Sequence, residues 1–206
     1  MVILDRKQRD KLLRKADILK AAERVFAQKG YHNTTVDDIS KEAQYAVGTL
    51  YLYFKNKQDI YLTLIEEKMD KIFQNVREVV SKAKTGPEKL RALVETHLTS
   101  FEENEDFFRI YFSERPDSRW IIRDRMSKTI MEKFMRYATF VSELIKDAQR
   151  DNSIKREFDP KRIAFLLIGM MNATIFPWLR DISEKKESLK TFAPIICEVF
   201  FKGVTR

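Results

Sequence analysis

The sequence predicts an all-α chain, and three observations carry that prediction. Apolar residues recur at spacings of three and four over long stretches, only five Gly and five Pro interrupt the 206 residues, and no segment alternates apolar with polar as a half-buried strand does. Hydrophobic residues make up 44% of the chain and charged residues 34%, so a buried core is available and a disordered chain is excluded.

The first helix is periodic from Leu12, with Ile18, Leu19, Ala22, Val25 and Phe26 on one face, and Gly30 is placed to stop it. Thr34-Thr35-Val36-Asp37-Asp38 follows, a Thr cap with an acid three residues on. It opens a short helix with Val36, Ile39 and Ala43 inward. After Gln44-Tyr45 a third short helix runs from about Ala46 to Tyr53. Ala46, Leu50 and Phe54 share its core face at i, i+4 and i+8, while Val47, Gly48 and Tyr51 lie on another face flanked by Thr49 and Tyr53. Three short helices with a tight turn before the last are the plan of a helix-turn-helix. The outer face of the third is small at its leading end, as close approach to a major groove requires, and aromatic further on. Tyr hydroxyls and Lys57 suit phosphate oxygens.

Asn56-Lys57-Gln58-Asp59 caps a long fourth helix carrying Ile60, Leu64, Ile65, Met69, Ile72, Phe73 and Val76. Thr85-Gly86-Pro87 is the clearest break, with Pro set for the first turn of a new helix. An aromatic-rich helix is expected over about Phe107 to Phe112, and a long one from about Arg119 to Gln149. An apolar helix opens at Asp159-Pro160 and runs through Leu179. A last helix after the charged turn at Glu184 to Glu187 ends near Gly203. Pro177 inside the penultimate helix is expected to kink it.

Charge and composition narrow the function classes. The net charge is +8, and Arg6, Lys7, Arg9, Lys11, Arg14 and Lys15 crowd the first fifteen residues. That run reads as a solvated terminus or, beside a DNA-binding module, as an arm along phosphates or in a minor groove. A single cysteine, Cys197, and no apolar leader suit a cytoplasmic protein, and Ile163 to Leu179 is too short and broken to read as a membrane span. Two histidines without metal-spaced partners and no phosphate-cradling glycine loop speak against the rival reading of a small helical enzyme, and no cofactor is expected. A membrane-surface helical protein is the third class weighed.

The stretch Ile18-Leu19-Lys20-Ala21-Ala22, then Val25-Phe26, Gly30-Tyr31, Thr34 to Ile39, Ala43 and VGTLYLYFKNK (Val47 to Lys57) resembles the DNA-binding domain of the TetR family of transcription regulators. Its GYHN and GTLYLYFKNKQDI segments are similar to the fatty-acid-degradation regulators of that family. The resemblance implies a homodimeric repressor that binds an inverted-repeat operator in duplex DNA and is released by a small hydrophobic effector, either an acyl-coenzyme A or a drug-like apolar ligand. It implies a DNA-binding domain at 1–56 and a helical ligand-binding and dimerisation domain at 57–206. Thr35, Val47, Gly48, Thr49, Tyr51, Tyr53 and Lys57 would face DNA, joined by Thr34, Tyr45 and Ala46. Gln44 stands where relatives usually carry Gly, asking a non-Gly residue to take a left-handed turn at roughly 1 kcal/mol. Ala46 replaces a capping Ser, and Tyr45 is a substitute phosphate contact.

In the remaining two thirds, Leu166, Gly169, Ala173, Ile196, Val199 and Phe200 are the expected dimer interface, with Met170 and Ile195 beside them, two helices from each subunit. Phe108, Tyr111, Phe112, Trp120, Phe134, Tyr137, Met170, Phe176 and Trp178 are candidates for an apolar effector pocket, with core packing as the alternative for each. Arg109, Arg119 and Arg123 are candidate partners for coenzyme A phosphates.

Overall fold

A computed structural model of the chain describes residues 5–113, 123–181, 183 and 186–204, with nothing said of the side chains of 111–113, 123–127, 129 and 130. The side chains of the pocket candidates Tyr111, Phe112 and Trp120, and of the cations Arg119 and Arg123, therefore lie outside what the structure describes. The order is α1 (Arg6–Asn33), α2 (Val36–Ala43), α3 (Val47–Tyr51), α4 (Lys57–Ser81), α5 (Gly86–Glu103), α6 (Glu105–Ser113), α7 (Arg123–Arg150), α8 (Pro160–Arg180), a 3₁₀ turn (Leu189–Thr191) and α9 (Phe192–Val204). No strand occurs among the described residues.

The chain divides into two compact units. Of the described residues, 5–68, 106–113 and 123–126 form one, and 69–105 with the chain from Ser127 onward form the other. In the first unit Ile18, Ala21, Ala22 and Phe26 of α1 close on Ile39, Leu50, Ile60, Tyr61 and Ile65, all at most 1% exposed. Burying each large side chain contributes about 1.5–3 kcal/mol. The caps are where local sequence places them. Thr35 and Asp38 form a capping box, Asn56 Oδ1 accepts from the Asp59 N–H at 2.9 Å, and Thr85 and Glu88 box the start of α5. The charged N-terminal stretch is not an extended arm. Asp5 caps it in a box with Gln8, and Arg6 to Lys15 form the first turns of α1.

Gly30 interrupts α1 at φ 72°, ψ 164°, a backbone region that side chains exclude, so the expected stop is present as a sharp break and the chain closes a further turn to Asn33. The carbonyls of that last turn converge on one cation. Lys57 Nζ donates to the carbonyl oxygens of Tyr31 at 2.7 Å, Thr34 at 2.7 Å and His32 at 3.3 Å, and stands 4.5 Å over the Tyr31 ring. Beneath it, Tyr61 packs on Tyr31 at 4.8 Å and edge-on against Phe26 at 5.4 Å. The end of α1 is thereby bound to the start of α4, with α2 and α3 held in the loop between them.

In the second unit, α5 packs on α8, α9 and the 3₁₀ turn. Gly86 lies so close to α7 that a side chain there would meet Ala148. Helix α8 continues through Pro177 to Arg180, with Asp181 N–H closing onto the Pro177 and Trp178 carbonyls. Pro177 stands inside the helix one turn before that end. By length and composition α8 also matches a membrane span, against the sequence expectation, but Ile163, Leu167, Ile168, Met171 and Ile175 of its inner face are buried in this unit.

Two stability measurements check these contacts. Lys57→Met should lower the unfolding free energy by about 2 kcal/mol, because charge-assisted bonds to three carbonyls are lost; an unchanged urea midpoint would place the ammonium elsewhere. Gln44 sits at φ 58°, ψ 36° in the turn after α2. Gln44→Gly should raise the midpoint by the equivalent of about 1 kcal/mol, by relieving the left-handed side chain, and a drop would show that the side chain is wanted there.

Candidate nucleic-acid interface

Helices α2 and α3 are joined by Gln44-Tyr45-Ala46, and the turn is closed by Tyr45 N–H donating to Ser40 O at 3.0 Å. Leu50 and Phe54 anchor α3 inward at 1% and 3% exposure. Ala46, expected to share that core face, is instead the exposed N-cap of α3 and makes no side-chain cap bond. The outward surface is Thr35, Ala46, Gly48 and Tyr51, with Val47, Thr49 and Tyr53 partly buried beside them. Leu52 adds an apolar side chain at 78% exposure, which helical spacing alone did not single out.

Gly48 is the informative position on this surface. Its backbone is ordinary helix, and a side chain built on it meets nothing within 4 Å. Packing therefore gives no reason for glycine there, although glycine in a helix costs about 1 kcal/mol relative to alanine. The residue leaves an open notch between Val47 and Thr49 on the exposed side of α3.

Three expected DNA contacts are turned inward or otherwise engaged. Thr34 is buried at 1% exposure, and its hydroxyl donates to Gly30 O at 2.7 Å. The Tyr45 hydroxyl donates to Asp17 Oδ2 at 3.1 Å, and that bond raises its pKa, so Tyr45 ties the turn back to α1. Lys57 holds the α1 carbonyls described above. In each case a backbone or carboxylate acceptor inside the unit has taken the donor that sequence reading assigned to DNA. Thr35 remains outward but shares its hydroxyl with Asp38 at 2.8 Å.

Around this face the acids are paired. Asp38 accepts from Lys29 at 2.7 Å and from the Thr35 N–H at 2.9 Å, and the Lys29 bond first, then the Thr35 bonds, hold its carboxyl well below the ordinary carboxylate range. Glu42 meets Arg24 at 2.6 Å and Asp37 meets Lys41 at 2.6 Å. Lys20, Lys55 and the α1 cations Arg6, Lys7, Arg9, Lys11 and Arg14 stand exposed in the same unit. A small-notched helix whose neighbouring acids Asp37, Asp38 and Glu42 are paired, on a unit whose N-terminal helix is cationic, can approach a polyanion.

The second unit sorts the remaining candidates. Helix α8 presents Phe165, Leu166, Gly169, Ala173 and Phe176 outward, at i, i+1, i+4, i+8 and i+11, and α9 presents Ile195 and Val199. Leu166 is 62% and Val199 59% exposed. Ile196 and Phe200 are buried at 5% each and belong to the core of this unit, so Ile195 takes the outward place expected of Ile196. Phe176 is 39% exposed on the same outward stripe. Trp178 is buried, donates its indole N–H to Glu187 O at 2.6 Å and carries the Lys186 ammonium 3.2 Å above its ring, so it clamps the turn after α8. Met170 is partly buried, and Phe134 meets Phe165 at 6.0 Å. Phe108 is core in the first unit, edge-on to Phe107 at 5.0 Å. Tyr137 lies with His97, a residue that sequence reading passed over. Cys197 is buried, and burial raises its thiol pKa, which suits inert core.

Comparison with known proteins agrees with this arrangement. The family model for bacterial regulatory proteins of the tetR family matches residues 18–64, and that for the tetracyclin repressor-like C-terminal domain matches residues 83–181. The fatty acid metabolism regulator protein of Bacillus subtilis is 26% identical over 187 residues, covering 91% of this chain and 93% of its own. The structure of FadR from Bacillus subtilis in complex with stearoyl-CoA superposes with a TM-score of 0.80 at 26% identity, covering 91% of this chain and 98% of that one. The fatty acid degradation regulator FadR from Bacillus halodurans gives a TM-score of 0.81 at 25% identity, covering 92% of this chain and 95% of that one. With both halves matched and the α2–α3 surface in place, the chain belongs to the TetR family of bacterial regulatory proteins and is a ligand-responsive, DNA-binding transcription regulator rather than an enzyme.

Proposed function

We propose that the protein is a cytoplasmic repressor that binds an inverted-repeat operator as a homodimer and releases it on binding a long-chain acyl-coenzyme A. Residues 1–56 are the DNA-reading half and 57–206 the effector-binding and dimerising half. The observation that carries the DNA reading is Gly48, an exposed helical glycine with open space where its side chain would be. Its use is close approach of α3 to base edges, with Thr35, Ala46, Val47, Thr49, Tyr51 and Tyr53 around it. The acyl reading is supported by the stearoyl-CoA complex of the Bacillus subtilis relative. The outward stripes of α8 and α9 support the dimer, since seven apolar or small residues in continuous rows are a surface a second copy would cover.

The function is tested on DNA selected from a random duplex library. Gly48→Ala should keep or raise thermal stability while weakening binding to the selected site at least tenfold. Unchanged binding would remove α3 from the groove. Stearoyl-CoA should release the wild-type complex in the same gel-shift assay, and by reciprocity the operator should weaken effector binding by the same factor, typically about 5–150-fold. Equal effector affinity with and without operator would end the repressor mechanism.

Assembly is checked separately. Leu166→Glu should give a folded monomer in sedimentation, with operator affinity lost, because a charge would be buried in the interface. Ile196→Glu should instead unfold the chain, since Ile196 is core. A wild-type monomer at micromolar concentration would discard the dimer and the inverted repeat with it.

A further inference from the structure

One polar atom in the second unit is left without a partner by the fold. His97 on α5 is 8% exposed, between the rings of Phe101 at 4.9 Å and Tyr137 at 5.3 Å. Its Nδ1 lies 2.7 Å from Tyr137 Oη. Its Nε2 is buried and has no hydrogen-bond partner, and it is the one such side-chain atom among the described residues. Leaving a buried donor or acceptor unsatisfied costs about 1–3 kcal/mol, so native folds rarely keep one without use.

Hydrogen-bond accounting fixes which proton the ring carries. If Nδ1–H donated to Tyr137, the phenol hydrogen and the bare Nε2 lone pair would both go unmatched. If the phenol donates to Nδ1, only one group is unmatched, and that group is Nε2–H. Burial lowers the His97 pKa to about 4 and raises that of Tyr137, so both rings stay neutral at physiological pH. Nε2 is therefore a fixed, uncharged donor in an aromatic setting. A neutral carbonyl oxygen matches it; a carboxylate in the same place would need a cation that His97 does not become.

The surroundings suit an acyl chain carrying an anionic head. Tyr137 meets Phe73 edge-on at 5.7 Å, and Phe73 packs on Phe140 at 5.5 Å. Phe73 and Phe140 also line a surface groove of about 720 Å³ between α4 and α7. Arg77 and Arg136 flank it, with guanidinium carbons 5.7 and 5.8 Å from the Phe73 ring centre, and Glu132 stands at its rim. Asp70 nearby is paired with Lys133 at 2.6 Å.

Resting on the acyl reading above, we propose that His97 Nε2–H is the specificity contact for the effector's thioester carbonyl oxygen. Tyr137 is the positioning residue that holds the ring in the donor tautomer, and Arg77 and Arg136 receive phosphate. The protein then discriminates acyl thioesters from free fatty carboxylates and from thioethers of the same length.

The test needs no variant at its first step. Wild-type protein is titrated calorimetrically with stearoyl-CoA and with S-octadecyl-CoA, which has the same chain and head but no carbonyl oxygen. The thioester should bind about tenfold or more tightly, as one buried hydrogen bond requires. His97→Leu should bind both ligands alike, and Tyr137→Phe should narrow the ratio. In the wild type, the ¹⁵N resonance of His97 Nε2 should report a protonated nitrogen that shifts with the thioester and not with the thioether. The double variant His97→Leu/Tyr137→Phe should unfold at the same or higher urea concentration, showing that the pair serves binding rather than stability. Equal wild-type affinity for the two ligands overturns the His97 assignment and leaves the acyl reading standing. Absence of binding by either overturns both.

Discussion

The arrangement of α2 and α3 depends on a single ammonium group. A helix end leaves carbonyls short of partners, and at the end of α1 Lys57 gathers those of Tyr31, His32 and Thr34 while leaning on the Tyr31 ring. Because Lys57 also begins α4, this contact joins two long helices at the base of the loop that carries α2 and α3. Gly30 makes the convergence possible, since only its backbone can turn the chain so that the carbonyls of residues 31–34 face one point. Tyr61 and Phe26 then fill the space below, and the orientation of α3 follows from Leu50 and Phe54 packing into the same core.

Set against that tight base, three positions give up stability that local preference or packing would have kept. Gly48 forgoes helix propensity without gaining a contact, and Gln44 holds a left-handed turn that glycine would take more easily. His97 keeps a donor in an aromatic cluster where an apolar side chain would serve packing equally well. Each departs from the rule that local preference and packing agree, and such departures concentrate where ligands are met.

The outward faces of α8 and α9 are of a different kind. Their inner residues close the second unit with α5, and one row left outside on each helix is also apolar or small. An amphipathic helix needs one buried face; two apolar faces on the same helix mean that a single chain has not used all its apolar surface. The same surplus makes α8 hydrophobic enough to pass for a membrane span, although its inner residues are packed against protein.

The helices, their caps and the family were legible in the sequence because their causes are local. A Thr three residues before an acid, a Pro in a first turn and an apolar recurrence every three to four residues act within one or two turns of chain. The α2–α3 surface was legible for the same reason, down to Gly48 and Tyr51, since one face of a short helix follows from its spacing. The destinations of long polar side chains were not. Lys57 reaches carbonyls 23 to 26 residues away, Tyr45 finds Asp17 across 28 residues, and His97 meets Tyr137 across 40. Nor did the spacing of α9 say whether Ile195 or Ile196 would be buried, because every position of FAPIICEVFF is apolar but two and the helix offers hydrophobic residues all round. Sequence determined which segments are helical and which residues of the short third helix face outward. Only tertiary packing decided which donors were left over and which apolar face remained outside, because both are set by neighbours that the chain brings together from far apart.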